Sequence, residues 1–125
     1  GCNTGWLLSE VPGGVGVDSS LPLVQAAQAK GLEVILAYAA DIPLEIEFET
    51  AVLSCVLEQC ENWPVVLREA LRLARRVIGI NPYPGTQWGR LGGCVRAVIE
   101  PVHIEAMGGT VERMDESRYY FEVLR

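Results

Sequence analysis

The sequence predicts an α/β fold: a Rossmann-like parallel sheet flanked by helices and finished by a C-terminal antiparallel hairpin. Three observations carry this expectation. Short apolar runs alternate with amphipathic stretches at loop-sized spacing, and turn residues such as Pro12-Gly13-Gly14 and Gly31 punctuate them. The last third of the chain replaces that alternation with two strand-like segments facing each other across a polar turn.

In chain order, Trp6-Leu7-Leu8 begins a short helix that stops before Pro12, and Val15 to Val17 reads as a buried strand. Ser19 or Ser20 caps the next helix, Pro22 is tolerated in its first turn, Leu23, Val24, Ala26 and Ala27 supply its apolar face, and Gly31 ends it. Glu33 to Ala37 is strand-like. Asp41 to Glu49 carries a proline and alternating acids and reads as a loop before the apolar strand Thr50 to Val56. Pro64 to Ala74 is an amphipathic helix, Val77 to Ile80 a strand, and Asn81-Pro82-Tyr83-Pro84-Gly85 a proline-stiffened turn. Gly89 to Gly108 is helical in part, interrupted by Pro101. Thr110 to Met114 and Arg118 to Leu124 flank Asp115-Glu116-Ser117 as a hairpin.

The chain has 125 residues, half of them hydrophobic, which is enough for one ordinary core, so a single domain over residues 1–125 is expected. Sixteen acids against ten Lys and Arg give a formal charge of −6, which repels a phosphate backbone, so nucleic acid is not favoured as a partner. Arg68, Arg72 and Arg75, with Arg76, read as cations along a helix face that suit its C-terminal dipole. Cysteines at 2, 55, 60 and 94 form no CxxC pair and the chain has one histidine, so no metal site is expected. With this much apolar material the thiols are read as free, in a reduced, cytoplasmic protein, and no apolar run approaches membrane-spanning length. The chain opens on Gly1, inside a motif that normally follows a strand, which leads us to expect an N-terminal segment before it.

That motif, Gly1-Cys2-Asn3-Thr4-Gly5, carries the chemistry. A glycine-rich turn lets backbone approach a ligand closely, and Asp18, at the end of the next apolar run, has the spacing to accept hydrogen bonds from ribose hydroxyls. Together they point to a nucleoside cofactor. For Asp18 the plainer reading is a helix-entry acid, and for Asp41 a solvated loop residue. His103, after Pro101, reads as structural. Trp6 and Trp63 read as packing at helix starts, whereas Trp88, in a Gly-rich loop after a strand, is a candidate for an acceptor pocket.

On GCNTG, GVGVDSS, Ala40-Asp41-Ile42-Pro43 and SCVLEQCENWPVVLREALRLARRVIGINP, the chain resembles the class I S-adenosylmethionine-dependent methyltransferases, most closely the MetW and type 11 methyltransferase families. The resemblance covers nearly the whole chain. It implies that Gly1, Asn3 and Gly5 face the methionine and ribose portion of S-adenosyl-L-methionine, and that Asp18, with Ser19 beside it, holds the ribose. It further implies that Asp41 accepts from the adenine amine, Ile42 packs on the ring, and Cys55, Val56 and Leu57 line the cofactor. Asn3 stands where the family has its second glycine, and asparagine tolerates left-handed backbone. The implied function is methyl transfer to a small-molecule acceptor. A non-catalytic cofactor-binding module is the alternative, and a nicotinamide oxidoreductase is disfavoured because GCNTG lacks GxGxxG spacing.

Overall fold

The computed structural model describes residues 1–84 and 96–125. The expected candidate Trp88, the start of the Gly89–Gly108 segment and Cys94 lie outside the described residues. The chain divides into two compact units, Gly1–Pro43 and Leu44–Arg125.

In the first unit, helix α1 (Trp6–Ser9) is followed by strand β1 (Gly16–Asp18), helix α2 (Leu21–Gln28) and strand β2 (Val34–Leu36). β1 and β2 are parallel, with Val17 opposite Ile35. The unit therefore contains a complete β–α–β crossover whose small core is Val24, Ala27 and Val34, with Cys2, Leu8 and Leu32 packed against it. β1 begins one residue later than the apolar run suggested, at Gly16, where pairing with Val34 starts, and a Cβ at that glycine would meet Cys2 Sγ and Leu8 Cδ2, each at 2.9 Å. The serine cap does not form. Ser20 occupies the N-cap without a side-chain bond, and its own N–H donates to Asp18 Oδ1 at 2.9 Å.

In the second unit, strand β3 (Phe48–Ser54) leads through one 3₁₀ turn (Leu57–Gln59) to helix α3 (Trp63–Leu73), strand β4 (Ala74–Pro82), helix α4 (Pro101–Glu105) and strands β5 (Thr110–Arg113) and β6 (Arg118–Leu124). The four strands form one sheet in the order β3-β4-β6-β5. β3 and β4 are parallel, while β6 runs antiparallel to both β4 and β5. α3 lays Val66, Leu67, Ala70 and Leu73 against the sheet, on the 3.6-residue spacing of an amphipathic helix. Val77, Tyr119, Phe121 and Val123 complete the buried face.

The mixed α/β expectation and the terminal hairpin are both realised, and four details differ. Asn81 and Pro82, expected to open a turn, instead extend β4, because they pair with Tyr119 and Arg118 of β6. Arg75 and Arg76 do not continue the helix: Ala74 already has φ −138° and ψ 150°, and β4 starts there because its residues pair with β3 and β6. Arg75 bonds Glu47 and Arg76 bonds Glu122, so these cations stabilise strand pairing instead of facing a helix end. Pro101 opens α4 instead of interrupting a helix, which its fixed φ and missing N–H allow. Trp6 is 75% exposed, so it is not the packing residue its helix-start position suggested. His103, as expected, is structural: its Nδ1 accepts the Glu100 N–H at 3.0 Å in a capping box.

Candidate functional site

The first unit gathers the opening loop around Asp18. Asn3 adopts φ 56° and Gly5 φ 78°, so the chain turns twice through left-handed backbone within three residues. That curl aims the Asn3 N–H at Asp18 Oδ2, 2.8 Å away, while the Asn3 side-chain oxygen accepts the Thr4 N–H at 2.7 Å. Asparagine thus replaces a glycine here by bonding its own neighbouring backbone. Cys2 N–H donates to Val17 O at 2.9 Å, which ties the loop to β1.

Asp18 is 7% exposed. Burial alone would push its carboxyl up, but the N–H groups of Ser20 and Asn3, together with the N-terminal ammonium, outweigh that and hold it below the usual aspartate value. Oδ1 accepts the Ser20 N–H and Oδ2 the Asn3 N–H, and the N-terminal ammonium of Gly1 stands 3.7 Å from Oδ2. Ser19, next in sequence, is exposed.

Asp41 and Ile42 follow β2. Ala37 N–H donates to Asp18 O at 3.0 Å, extending the β1–β2 ladder, and Asp41 N–H closes a turn on Tyr38 O at 3.0 Å. Asp41 is exposed and Ile42 half-buried. Gly1, Asn3, Gly5, Asp18, Ser19, Asp41 and Ile42 thus belong to one unit, with Asp18 at the carboxyl end of its parallel strand and Asp41 in the turn beyond β2. Ligands of open α/β sheets bind at such ends.

Cys55, Val56 and Leu57 belong to the second unit, where they leave the carboxyl end of β3. Cys55 has φ 53°, unusual for a residue with a side chain, and its N–H donates to Ile80 O at 2.8 Å. Its carbonyl accepts from Gln59 Nε2 at 2.5 Å, and burial pushes its thiol pKa up, which keeps the sulfur protonated. Val56 and Leu57 are buried. The sequence reading passed over the next residue, Glu58, which is 6% exposed with its carboxyl raised by burial. A carboxylate directly after an apolar strand was the signal available.

Among the described residues no group of three or more His, Cys, Asp or Glu side chains is placed to hold a metal ion, and no helix is long and apolar enough to cross a membrane.

Gly5 offers a direct test of the loop. A Cβ there would collide with Leu32 Cδ1 and stand 3.4 Å from Ala27 Cβ, in a backbone conformation that L-residues avoid. Gly5→Ala is expected to cost about 1–3 kcal/mol in urea denaturation. Gly31→Ala is the control, because Gly31 shares φ 78° with nothing within 4 Å of its Cβ position. Equal losses in the two variants would show that the loop is not packed on Leu32.

An opening left-handed loop bonded to a buried acid, at the carboxyl end of a parallel strand, is the geometry of a nucleotide-type site in an α/β protein. Residues 1–77 match the family model described as "Methyltransferase domain", and the chain belongs to that family. An uncharacterized protein of Methanocaldococcus jannaschii is 35% identical over 71 residues, which cover 53% of this chain and 35% of that protein. The chain thus spans about a third of the length of this curated relative. Among solved structures, a methyltransferase of Thermotoga maritima described as a possible histamine N-methyltransferase superposes with a TM-score of 0.82 at 15% identity, covering 99% of this chain and 78% of that one. Magnesium protoporphyrin IX methyltransferase from Synechocystis, with bound S-adenosylhomocysteine, gives 0.70 at 21% identity, covering 100% and 71%. An O-methyltransferase from neocarzinostatin biosynthesis, in complex with S-adenosylmethionine and a naphthoic acid, gives 0.74 at 20% identity, covering 100% and 47%. At these identities the likeness establishes a shared fold.

Proposed function

We propose that this chain binds S-adenosyl-L-methionine and takes part in methyl transfer to a small-molecule acceptor, its two units acting as parts of one methyltransferase-like domain. The observation that carries this reading is the bond from the Asn3 N–H to Asp18 Oδ2, which fixes the glycine loop against a buried, ionised carboxylate. The residues present fit an adenosyl group. A carboxylate oxygen can accept more than one donor, so Asp18 would take ribose hydroxyls beside its backbone N–H partners, and the absence of a side chain at Gly5 lets the loop close on Leu32. Asp41 would accept from the adenine amine and Ile42 would cover the ring.

The cofactor supplies a sulfonium-activated methyl, so the chain needs no nucleophilic side chain of its own. Its residues have to bind, orient and exclude water, which can lower a barrier by several kcal/mol through proximity alone. That the neighbours include proteins crystallised with S-adenosylmethionine and its demethylated product supports the choice of cofactor.

Calorimetric titration of the protein with S-adenosylmethionine and S-adenosylhomocysteine tests the reading. Saturable binding near 10 µM or tighter is expected, equivalent to roughly −7 kcal/mol. Neither heat nor a thermal shift with either compound would remove the proposal. Binding without transfer of a labelled methyl to any component of a cell extract would favour the non-catalytic module.

A further inference from the structure

The carboxyl end of the β3–β4 pair holds two buried polar side chains whose hydrogen bonding is incomplete. Glu58, 6% exposed, lies in the turn after β3, and Asn81, fully buried, near the end of β4. Glu58 Oε2 and Asn81 Oδ1 have no hydrogen-bond partner among the described residues. Their surroundings are otherwise well bonded. Asn81 Nδ2 donates to the Tyr119 hydroxyl at 3.2 Å, and that hydroxyl donates to Ile99 O at 2.9 Å. The segment from Arg96 to Ile99 links the two: its Arg96 and Ala97 N–H groups donate to Glu58 O, and its Ile99 O accepts from Tyr119.

Each orphaned acceptor costs about 1–3 kcal/mol of uncompensated desolvation, and a carboxylate costs more. Two such atoms, without a donor among the described residues, stand at the carboxyl edge of a parallel strand pair, where ligands of open α/β sheets bind. We propose that Glu58 and Asn81 form a subsite for an amine or ammonium group of the methyl acceptor, held by Glu58 Oε2 and Asn81 Oδ1. As an acceptor site this rests on the methyl-transfer reading; as a binding site it does not.

The chemistry selects an amine. An ammonium presents three N–H donors and a positive charge, so it can satisfy both oxygens and offset the carboxylate. An alcohol has a single O–H and would leave one oxygen unmatched, and a carboxylate ligand would add acceptors to acceptors. Burial raises the proton affinity of Glu58, which suits it to take a proton from the bound ammonium. In that step an N–H bond breaks, its electron pair remains on nitrogen as the lone pair that a nucleophile needs, and the proton forms an O–H bond on Glu58. The segment at residues 96–99 is tied down beside this pair by the Arg96 and Ala97 N–H groups on Glu58 O, at 2.8 and 3.0 Å, and by the Tyr119 hydroxyl on Ile99 O. Arg96 and Val98 of this segment are exposed and Ile99 is buried.

The test is an NMR titration of the protein with methylammonium chloride, at constant ionic strength, with and without S-adenosylhomocysteine. Saturable shifts of the Glu58 carboxyl ¹³C signal and the Asn81 side-chain amide are expected, weakened at least tenfold in Glu58→Gln, with acetate and methanol giving none. The ¹³C signal is read in the wild-type chain, so the outcome does not depend on the variant folding. A static Glu58 signal, an equal response to methanol, or an unchanged titration in a folded Glu58→Gln protein would overturn the subsite. Loss of S-adenosylhomocysteine binding with the methylammonium response intact would instead count against the methyltransferase reading and leave the subsite standing.

Discussion

Asp18→Ala is expected to weaken S-adenosylmethionine binding by about 100-fold, measured by calorimetry. A hydrogen bond to a charged group is worth roughly 1.5–3 kcal/mol, and the proposed ribose contact contains two, so even the lower figure gives about 3 kcal/mol, or two decades. The same substitution leaves the Asn3 and Ser20 N–H groups without their acceptor, so the opening loop and the α2 N-terminus loosen together. Asp18→Asn separates these effects, since its amide keeps one acceptor oxygen and loses the charge. The pH dependence has a definite sign. Because the folded carboxyl lies below its ordinary value of about 3.9, its contribution to stability is fully present above that value and is lost as pH falls through the folded one. Binding and stability should therefore be flat in this group from pH 8 down to about 5 and decline below about 4. Wild-type affinity in Asp18→Ala would move the cofactor away from this carboxylate.

Gly79→Val is expected to unfold the second unit, or to lower its melting temperature by about 10 °C or more. Gly79 lies in β4 opposite Leu53 on one side and Phe121 on the other. A Cβ there would stand 2.5 Å from both Leu53 O and Phe121 Cε1. The carbonyl belongs to the β3 backbone and cannot rotate away, and Phe121 is fully buried among neighbours that fix its ring. Overpacking of this kind typically costs about 1–3 kcal/mol even where side chains can yield, and here backbone must move. The paired variant Gly79→Val, Phe121→Leu relieves the ring but not the carbonyl, so it should recover part of the loss. A melting curve within about 2 °C of wild type for the single variant would contradict the close approach of β3, β4 and β6.

Much of this architecture was legible in the sequence because apolar periodicity and Gly or Pro punctuation are local signals. The short strands around Val17 and Ile35, the helix carrying Val66 and Leu67, and the hairpin about Asp115 were found within a residue or two. The boundary at Ala74 was not, since neither glycine nor proline separates α3 from β4, and the change from helix to strand is imposed by partners distant in sequence. Pro101 reads in the sequence as interrupting a helix and in the fold opens one, because the ring that breaks a helix interior also suits its first turn. At the candidate site, the left-handed turn at Asn3 was readable from residue type. The unmatched lone pairs of Glu58 and Asn81 were not, because they are a property of the folded surroundings: Glu58 showed only as a carboxylate after an apolar strand, and Asn81 only as the start of a proline-stiffened turn.

The strand order β3-β4-β6-β5 also governs the sequence of events during synthesis. β6 lies between β4 and β5, and Asn81 reaches across 38 positions to bond Tyr119. A ribosome-bound intermediate ending before residue 118 would therefore expose one flank of β4 and leave β5 without the strand it pairs with. Residues 1–43, whose crossover closes on itself, can condense much earlier. Pausing of translation would thus leave a half-built second unit with a bare sheet edge, the kind of surface that chaperones shield and that invites edge-to-edge aggregation.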